Sequence, residues 1–454
     1  MRPKDAKDGS SPGRAGNGGK VIADQILVLP PVSLDLKAGR KCGERHTPEE
    51  NIPFDKRMLK VSPVPPAIDK PQAQTGDVRL MALLHAGFVL TGVVNTMLGP
   101  LLPVLSARWA LNDAHAGYLF TAQFSGSMLG VMGSSFLMSR RGHRISVVLG
   151  LGLMALGSAT LLATSWSLGM LSTLCLGIGL GLAIPTTNLL VSELNPEKRA
   201  AALNLINFSW GVGAASCPFF VAALLRMDRT SHLLYGVAAA LILMAVGMTR
   251  VAFPALCPAP DNVSRVETGL WRSPWVPVIG ALFFFYVGSE AGVGGWTATY
   301  AQRIVAGAGT VWVLMPSLFW TALLLGRATA PVLLRDLPEL KLAEFGLVLS
   351  TVGVVVLLGA RNLSAIAIGV SLAGLGFSSV FPIAIATLSR KFGPMAPQIA
   401  GLMFALAGLG GATLPWLVGY TSTRLGGLKY GLLVPLFGCI VMLILNVRLS
   451  QPDS

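Results

Sequence analysis

From Val78 onward the chain alternates apolar blocks of about 20 residues with short polar breaks, the block length needed to cross a hydrocarbon core of about 30 Å. In lipid every backbone N–H and C=O must be satisfied within the segment, so such blocks predict helices. Twelve spans follow, at 78–105, 115–138, 145–164, 168–192, 200–225, 232–253, 274–302, 309–334, 342–359, 363–388, 397–423 and 428–448. The narrowest separation lies between the third and fourth, where Ser165, Trp166 and Ser167 leave room for a tight turn. Connections are otherwise short, except for the stretch from Ala252 to Ser273. That stretch divides the chain into a half at 78–253, a loop at 254–273 and a half at 274–449. The predicted fold class is all-α integral membrane.

An internal repeat supports the division. The fifth span carries Gly211, Gly213, Ala215 and Pro218, and the eleventh carries Gly408, Gly410, Ala412 and Pro415, both reading G-x-G-x-A-x-x-P. Gly-Leu-Gly recurs at 179–181 and 374–376 in the spans before them. The offsets, 197 and 195, predict two pseudo-symmetric six-helix halves of the same topology. Repeats of that kind place a solute site between the halves, near the bilayer midplane.

Composition agrees with lipid: 53% of residues are hydrophobic and 12% charged, against about 25% charged in a soluble domain. A net charge of +14 invites a nucleic-acid reading, but the basic residues sit in the N-terminal tail and in short loops, not on one amphipathic face. Retention of Lys and Arg on the cytoplasmic side accounts for them. With the N-terminus inside, inner loops hold twelve Lys/Arg and outer loops seven, which places both termini in the cytoplasm of a multi-pass cell-membrane protein. Residues 1–77 are polar, with 13 Lys/Arg and 10 Asp/Glu, and predict a disordered cytoplasmic tail; initiation at Met58 or Met81 is the second reading. The five cysteines (Cys42, Cys175, Cys217, Cys257, Cys439) are scattered and predict neither a metal site nor a disulfide framework. No nucleophile motif or phosphate-cradling loop occurs, so neither an enzyme nor a cofactor is predicted.

Three stretches are distinctive: Gly99-Pro100-Leu101-Leu102-Pro103, the run from Asn188 to Asn207 (NLLVSELNPEKRAAALNLIN), and Tyr286 to Tyr300 (YVGSEAGVGGWTATY). Through them residues 80–448 resemble the major facilitator superfamily, and within it the fucose permease-like sugar transporters. The superfamily's signature between the second and third spans is partial here, reading Ser135, Ser139, Arg140, Arg141, Gly142, His143 and Arg144. Serines replace its first Gly and its Asp. The resemblance implies a cytoplasmic gate involving Arg140 and Arg144, with Glu193 as a substitute for the missing acid. The first-span acid that couples protons in the fucose permease-like branch is also absent, since that region reads VVNTMLGP.

Individual residues sharpen the picture. Glu290 lies about 24 Å into the seventh span, where a carboxylate is costly and marks a functional site. Tyr286, Glu290, Gly294, Thr297 and Tyr300 share one helical face by spacing. Glu290 could take a proton or accept a bond from a solute hydroxyl; its bland reading is a protonated side chain bonded to a neighbouring helix. Arg327 lies about 12 Å from the inner end of the eighth span, which by this count is too far from Glu290 for direct pairing. Glu344 is its predicted partner, and a structural or gate role its predicted use. Asn207 with Asn204, Asn95 with Thr91, Asn188 with Pro185, and Ser378 with Ser371 and Pro382 form polar stripes. Helix-to-helix bonding explains such residues as readily as a cavity does, but they fall on corresponding spans of the two halves. The resemblance puts Asn207 on the cavity wall. Trp296 and Trp210 offer faces that stack on a sugar ring or pack helices, and Gln123 is a further candidate from the second span.

These readings predict a secondary transporter, monomeric and surrounded by lipid, that moves a small polar solute, a sugar by resemblance, together with protons through Glu290. The substrate-contact set is Asn95, Asn188, Asn207, Tyr286, Glu290, Trp296 and Ser378; the gate set is Arg140, Arg144, Glu193, Arg327 and Glu344. Efflux of drug-like or amphipathic metabolites fits the same scarcity of charge, although the fifth span reads Cys217-Pro218-Phe219-Phe220 where antiporters carry Gly-Pro followed by Gly-Gly. A non-transporting membrane sensor fits the sequence too.

Overall fold

The structure, a computed structural model, describes residues 75–162, 165–254, 273–305, 309–335 and 337–450. The predicted tail up to Gln74, most of the central loop, Cys42 and Cys257 lie outside the described residues. The described part is helical: α1 (Thr75–Thr96), α2 (Leu98–Arg108), α3 (Asp113–Arg141), α4 (His143–Thr160), α5 (Trp166–Leu194), α6 (Arg199–Arg226), α7 (Thr230–Thr249), α8 (Trp275–Ile304), α9 (Met315–Leu333), α10 (Glu339–Gly359), α11 (Leu363–Phe377), α12 (Val380–Phe392), α13 (Ala396–Leu425), α14 (Leu428–Gly431) and α15 (Leu433–Leu449). Helix α1 starts at Thr75, inside the stretch predicted as tail. Ser165 caps α5, its hydroxyl accepting from the Leu168 N–H at 3.4 Å.

The helices make twelve crossings, because α1/α2, α11/α12 and α14/α15 are each one span with an internal break. Each break lies four residues or so ahead of a proline: Pro100 after Thr96, Pro382 after Ser378, Pro435 after Gly431. Proline has no N–H for the carbonyl four residues back, and its ring crowds that carbonyl. Eleven spans are apolar enough to be recognised by composition; the exception is α3. Its 29 residues reach about 43 Å, ample for a crossing, but it is rich in Gly and Ser because it packs against α5 and α13.

Twelve is an even number, so Thr75 and Ser450 lie on one face, called the terminal face below; the other is the far face. The repeat appears in the packing. A Cβ on Gly213 of α6 would collide with the Val89 carbonyl of α1, and one on Gly410 of α13 with the Phe284 carbonyl of α8. Within each half, then, backbone touches backbone. Across the halves the repeat glycines meet side chains instead: Gly211 faces Leu324 and Gly408 faces Met128. Both relations keep the repeat offset of about 196.

Polar bonds between the halves gather at the far face. Asp113 at the start of α3 accepts from both Nη atoms of Arg303 at the end of α8, and from the Ser422 hydroxyl of α13. The Ala114 N–H donates to Thr423 Oγ1 (2.9 Å), Thr121 Oγ1 to the Ala412 carbonyl (2.7 Å), and Arg226 Nε to Thr310 Oγ1 (2.7 Å). Toward the terminal face the ion pairs of the described residues stay inside one half: His143 with Glu193 at 3.6 Å, and Arg390 with Glu339 at 2.6 Å. The halves are laced at the far face and part toward the terminal face.

Candidate functional site

Two connected spaces lie between the halves. A central cavity of about 170 Å³ is walled by Asn95, Thr96 and Gly99 from the first span, Phe120 and Gln123 from α3, and Glu290 and Gly294 from α8. A vestibule of about 470 Å³ runs from mid-depth toward the terminal ends of α6, α9 and α12, past Asn204, Asn207, Ala386 and Glu339. Trp210 of α6, Trp320 of α9 and Arg327 border both spaces. The two indoles meet edge to face, ring centres 5.8 Å apart, and form the partition between them.

The centre of the site is a three-residue cluster. Tyr286 Oη is 3.0 Å from Glu290 Oε1 and 3.1 Å from the Phe377 carbonyl, and one phenolic proton serves these acceptors. Arg327 Nη2 lies 3.5 Å from Glu290 Oε1 and 3.4 Å from Tyr286 Oη. These are long contacts beside the 2.7–2.9 Å usual for charge-assisted bonds. Arg327 Nε is buried with no partner. Glu290 is 15% exposed and Arg327 28%, and that exposure is to the cavities they line. Across the space, Gln123 Nε2 donates to the Asn95 carbonyl at 3.1 Å. That carbonyl sits in the turn that Pro100 loosens.

Two sequence expectations are corrected here. Arg327 does contact Glu290, and Glu344 instead pairs with Lys341 of its own helix at 2.8 Å. The sequence count was taken from the terminal ends of the spans, where α8 overhangs α9. Counted from the far ends, Glu290 lies 14 residues from Ile304, about 21 Å. Arg327 lies 16 residues from Val311, about 26 Å when the first turn is 3₁₀. An arginine side chain covers the difference. Arg327 is therefore a cavity residue and not a residue of the terminal ends.

The remaining predicted contacts divide. Asn95, Glu290 and Asn207 line the spaces. Asn188 stands behind Asn207, accepting from its amide at 3.0 Å and joining α5 to α6. Tyr286 is buried and reaches the cavity only through Glu290 and Arg327. Trp296 does not line either space: it is fully buried, donates to the Pro415 carbonyl at 2.8 Å, and packs near Phe120. Ser378 also lies outside both. Its hydroxyl donates to Leu375 O at 2.6 Å and presses on Gly326, while its neighbour Ser379 lines the vestibule. Thr297 and Tyr300, on the predicted stripe, line neither space, bonding the Val293 and Leu357 carbonyls.

Of the predicted gate residues, Arg144 holds the end of α7, donating to the Thr249 and Val251 carbonyls at 2.7 and 2.8 Å. Arg140 lies over the Phe136 ring at 4.3 Å, and Glu193 faces His143. Sequence reasoning missed Trp320, which reads as a packing residue in an apolar helix, and the Asp113–Arg303 pair, 190 residues apart. The second pair had one signal, opposite charges at span ends on the same face.

The profile of the Major Facilitator Superfamily matches residues 84–415. The glucose/mannose transporter GlcP of Bacillus subtilis is 22% identical over 351 residues, 75% of this chain and 87% of that protein. The 4-hydroxybenzoate transporter PcaK of Pseudomonas aeruginosa is 31% identical over 150 residues, 32% of this chain and 33% of that one. Among solved structures, the Escherichia coli fucose:proton symporter superposes with a TM-score of 0.57 at 20% identity, covering 82% of this chain and 99% of its own.

Proposed function

The chain belongs to the Major Facilitator Superfamily, and on that premise we propose that it is a proton-coupled symporter for a small hydroxylated solute of the sugar class. It works as a monomer in the cell membrane, by alternating access. The observation that carries this reading is Glu290: a carboxylate within a membrane span, on the wall of a cavity shared by the two halves, with its one basic neighbour among the described residues, Arg327, held at 3.5 Å. A carboxylate so placed is costly unless paired or protonated, so proton binding and the state of the cavity are coupled. Both termini are assigned to the cytoplasm from the Lys/Arg distribution, which makes the vestibule an opening to the cytoplasm. Asn95 and Gln123 supply amide groups for solute hydroxyls. GlcP, a glucose/mannose transporter, and the fucose:proton symporter support sugars and proton coupling.

The test is external pH in weakly buffered, de-energised cells challenged with a panel of sugars, polyols and sugar acids. One solute should alkalinise the medium, and Glu290→Gln should abolish that response while the protein remains in the membrane. A flat trace across the panel overturns the sugar–proton reading.

A further inference from the structure

We propose that the solute carries a carboxylate, bound by Arg327, and that it crosses with one proton on Glu290, so that transport moves no net charge. This rests on the reading of the central cavity as the transport site and names the class of solute it takes.

The argument starts from the unfilled valence of Arg327. A guanidinium has five N–H donors in a planar fork that matches a carboxylate with two parallel bonds. Where an arginine laces the two halves together, both prongs are used: Arg303 grips Asp113 with both Nη atoms. Arg327 is different. Its two polar contacts, to Glu290 and Tyr286, both run through Nη2 and are 3.4–3.5 Å long. Its Nε is buried and unbonded. The Nη1 end of the fork, neither buried nor bonded among the described residues, is thus open where Arg327 borders both the central cavity and the vestibule.

Charge balance then sets the proton count. With Glu290 ionised, the empty cavity holds one positive and one negative group. Adding a carboxylate leaves one uncompensated negative charge inside a membrane protein, which is strongly unfavourable. A proton on Glu290 restores neutrality and frees Arg327 from its weak partner. Among the described residues no other ionisable side chain borders the central cavity. Anion and proton therefore enter together, and either alone leaves the site charged. The opposite wall is uncharged: the Asn95 and Gln123 amides fit the hydroxyls of a hydroxy acid. Arg327 belongs to one half and the amides to the other, so the solute bridges the surfaces that must move together.

The experiment uses wild-type protein in proteoliposomes, with solutes in matched pairs that differ in the acid group: D-glucose against D-gluconate, and 4-hydroxybenzyl alcohol against 4-hydroxybenzoate. An inward proton gradient should accumulate the acid of at least one pair and not its neutral partner. A potential set by potassium and valinomycin should leave the accumulation unchanged. In weakly buffered detergent solution, binding of that acid should take up about one proton per anion and change the fluorescence of Trp210 and Trp320. Arg327→Gln should abolish acid binding and Arg327→Lys should retain part of it. Glu290→Gln should keep binding and exchange but lose proton-driven accumulation. Accumulation of the neutral partner alone, or uptake that follows the potential, overturns the carboxylate proposal while leaving proton-coupled transport standing. Failure of both members of every pair, with no proton uptake on binding, overturns both. The binding measurement on wild-type protein decides the matter even if the Arg327 variants fail to fold.

Discussion

Asp113→Ala should shift the molecule toward the state open at the far face. Asp113 is 11% exposed and accepts a two-pronged bond from Arg303, which is 45% exposed, and a hydroxyl bond from Ser422. An ion pair this open to water contributes at most about 1 kcal/mol, and the hydroxyl-to-carboxylate bond about 1 kcal/mol more. Both join the halves, so both are lost when the far face opens. The favourable placement of Asp113 at the N-terminus of α3 is present in either state and cancels. The net shift is about 2 kcal/mol, roughly a 30-fold change in the ratio of the two states. The assay is labelling of Ala412→Cys by a membrane-impermeant maleimide added at the far face, in a background with Cys42, Cys175, Cys217, Cys257 and Cys439 replaced. Ala412 is buried in the α3–α13 seam and its carbonyl takes the Thr121 bond, so it reacts only when that seam parts. With the far-open state in the minority, its rate should rise by roughly one order of magnitude or more on adding Asp113→Ala. A rate unchanged within about twofold, in protein that remains folded and in the membrane, would refute the claim that these bonds hold the far face shut.

Three further outcomes follow from the packing and the cavities. Trp320→Ala removes half of the indole partition, so a cysteine at Asn95 should be labelled from the terminal face several times faster than in the parent, read by mass spectrometry. Gly410→Val drives a branched side chain into the Phe284 carbonyl and should eliminate folded protein on size-exclusion chromatography, whereas Gly236→Ala, which meets nothing within 4 Å, should leave the profile unchanged. Glu339→Gln breaks the pair with Arg390, which is 45% exposed, and should lower stability by only about 0.5–1 kcal/mol in a denaturant titration.

The spans were legible because lipid leaves the backbone only one way to satisfy itself, and the blocks that result are long and uniform. Even α3, too polar to stand out by composition, was bracketed by its neighbours. The repeat was legible because its glycines are contact points: Gly213 and Gly410 are required by carbonyls 195 residues apart, Val89 and Phe284. Glu290 stood out as a carboxylate in an apolar stretch. Its partner did not, because counting residues from one membrane face assumes helices of equal overhang, and α8 and α9 differ. Ser378 was placed on the cavity by periodicity, but the break ahead of Pro382 turns the chain so that Ser379 lines the vestibule. Trp320 carried no polar signature, and its role follows only from meeting Trp210 across the seam.

The contacts of the four repeat glycines are of two mechanical kinds. Gly213 and Gly410 lock backbone to backbone, with no side chain between that could change rotamer, so α1 with α6 and α8 with α13 behave as welded pairs. Gly211 and Gly408 instead receive the tips of Leu324 and Met128, unbranched or singly branched chains that can change rotamer while staying in contact. These two positions act as bearings. The repeat thus places a weld and a bearing two residues apart on the same helix, one facing into each half and the other facing across. A chain built this way can rock along one seam without loosening either body.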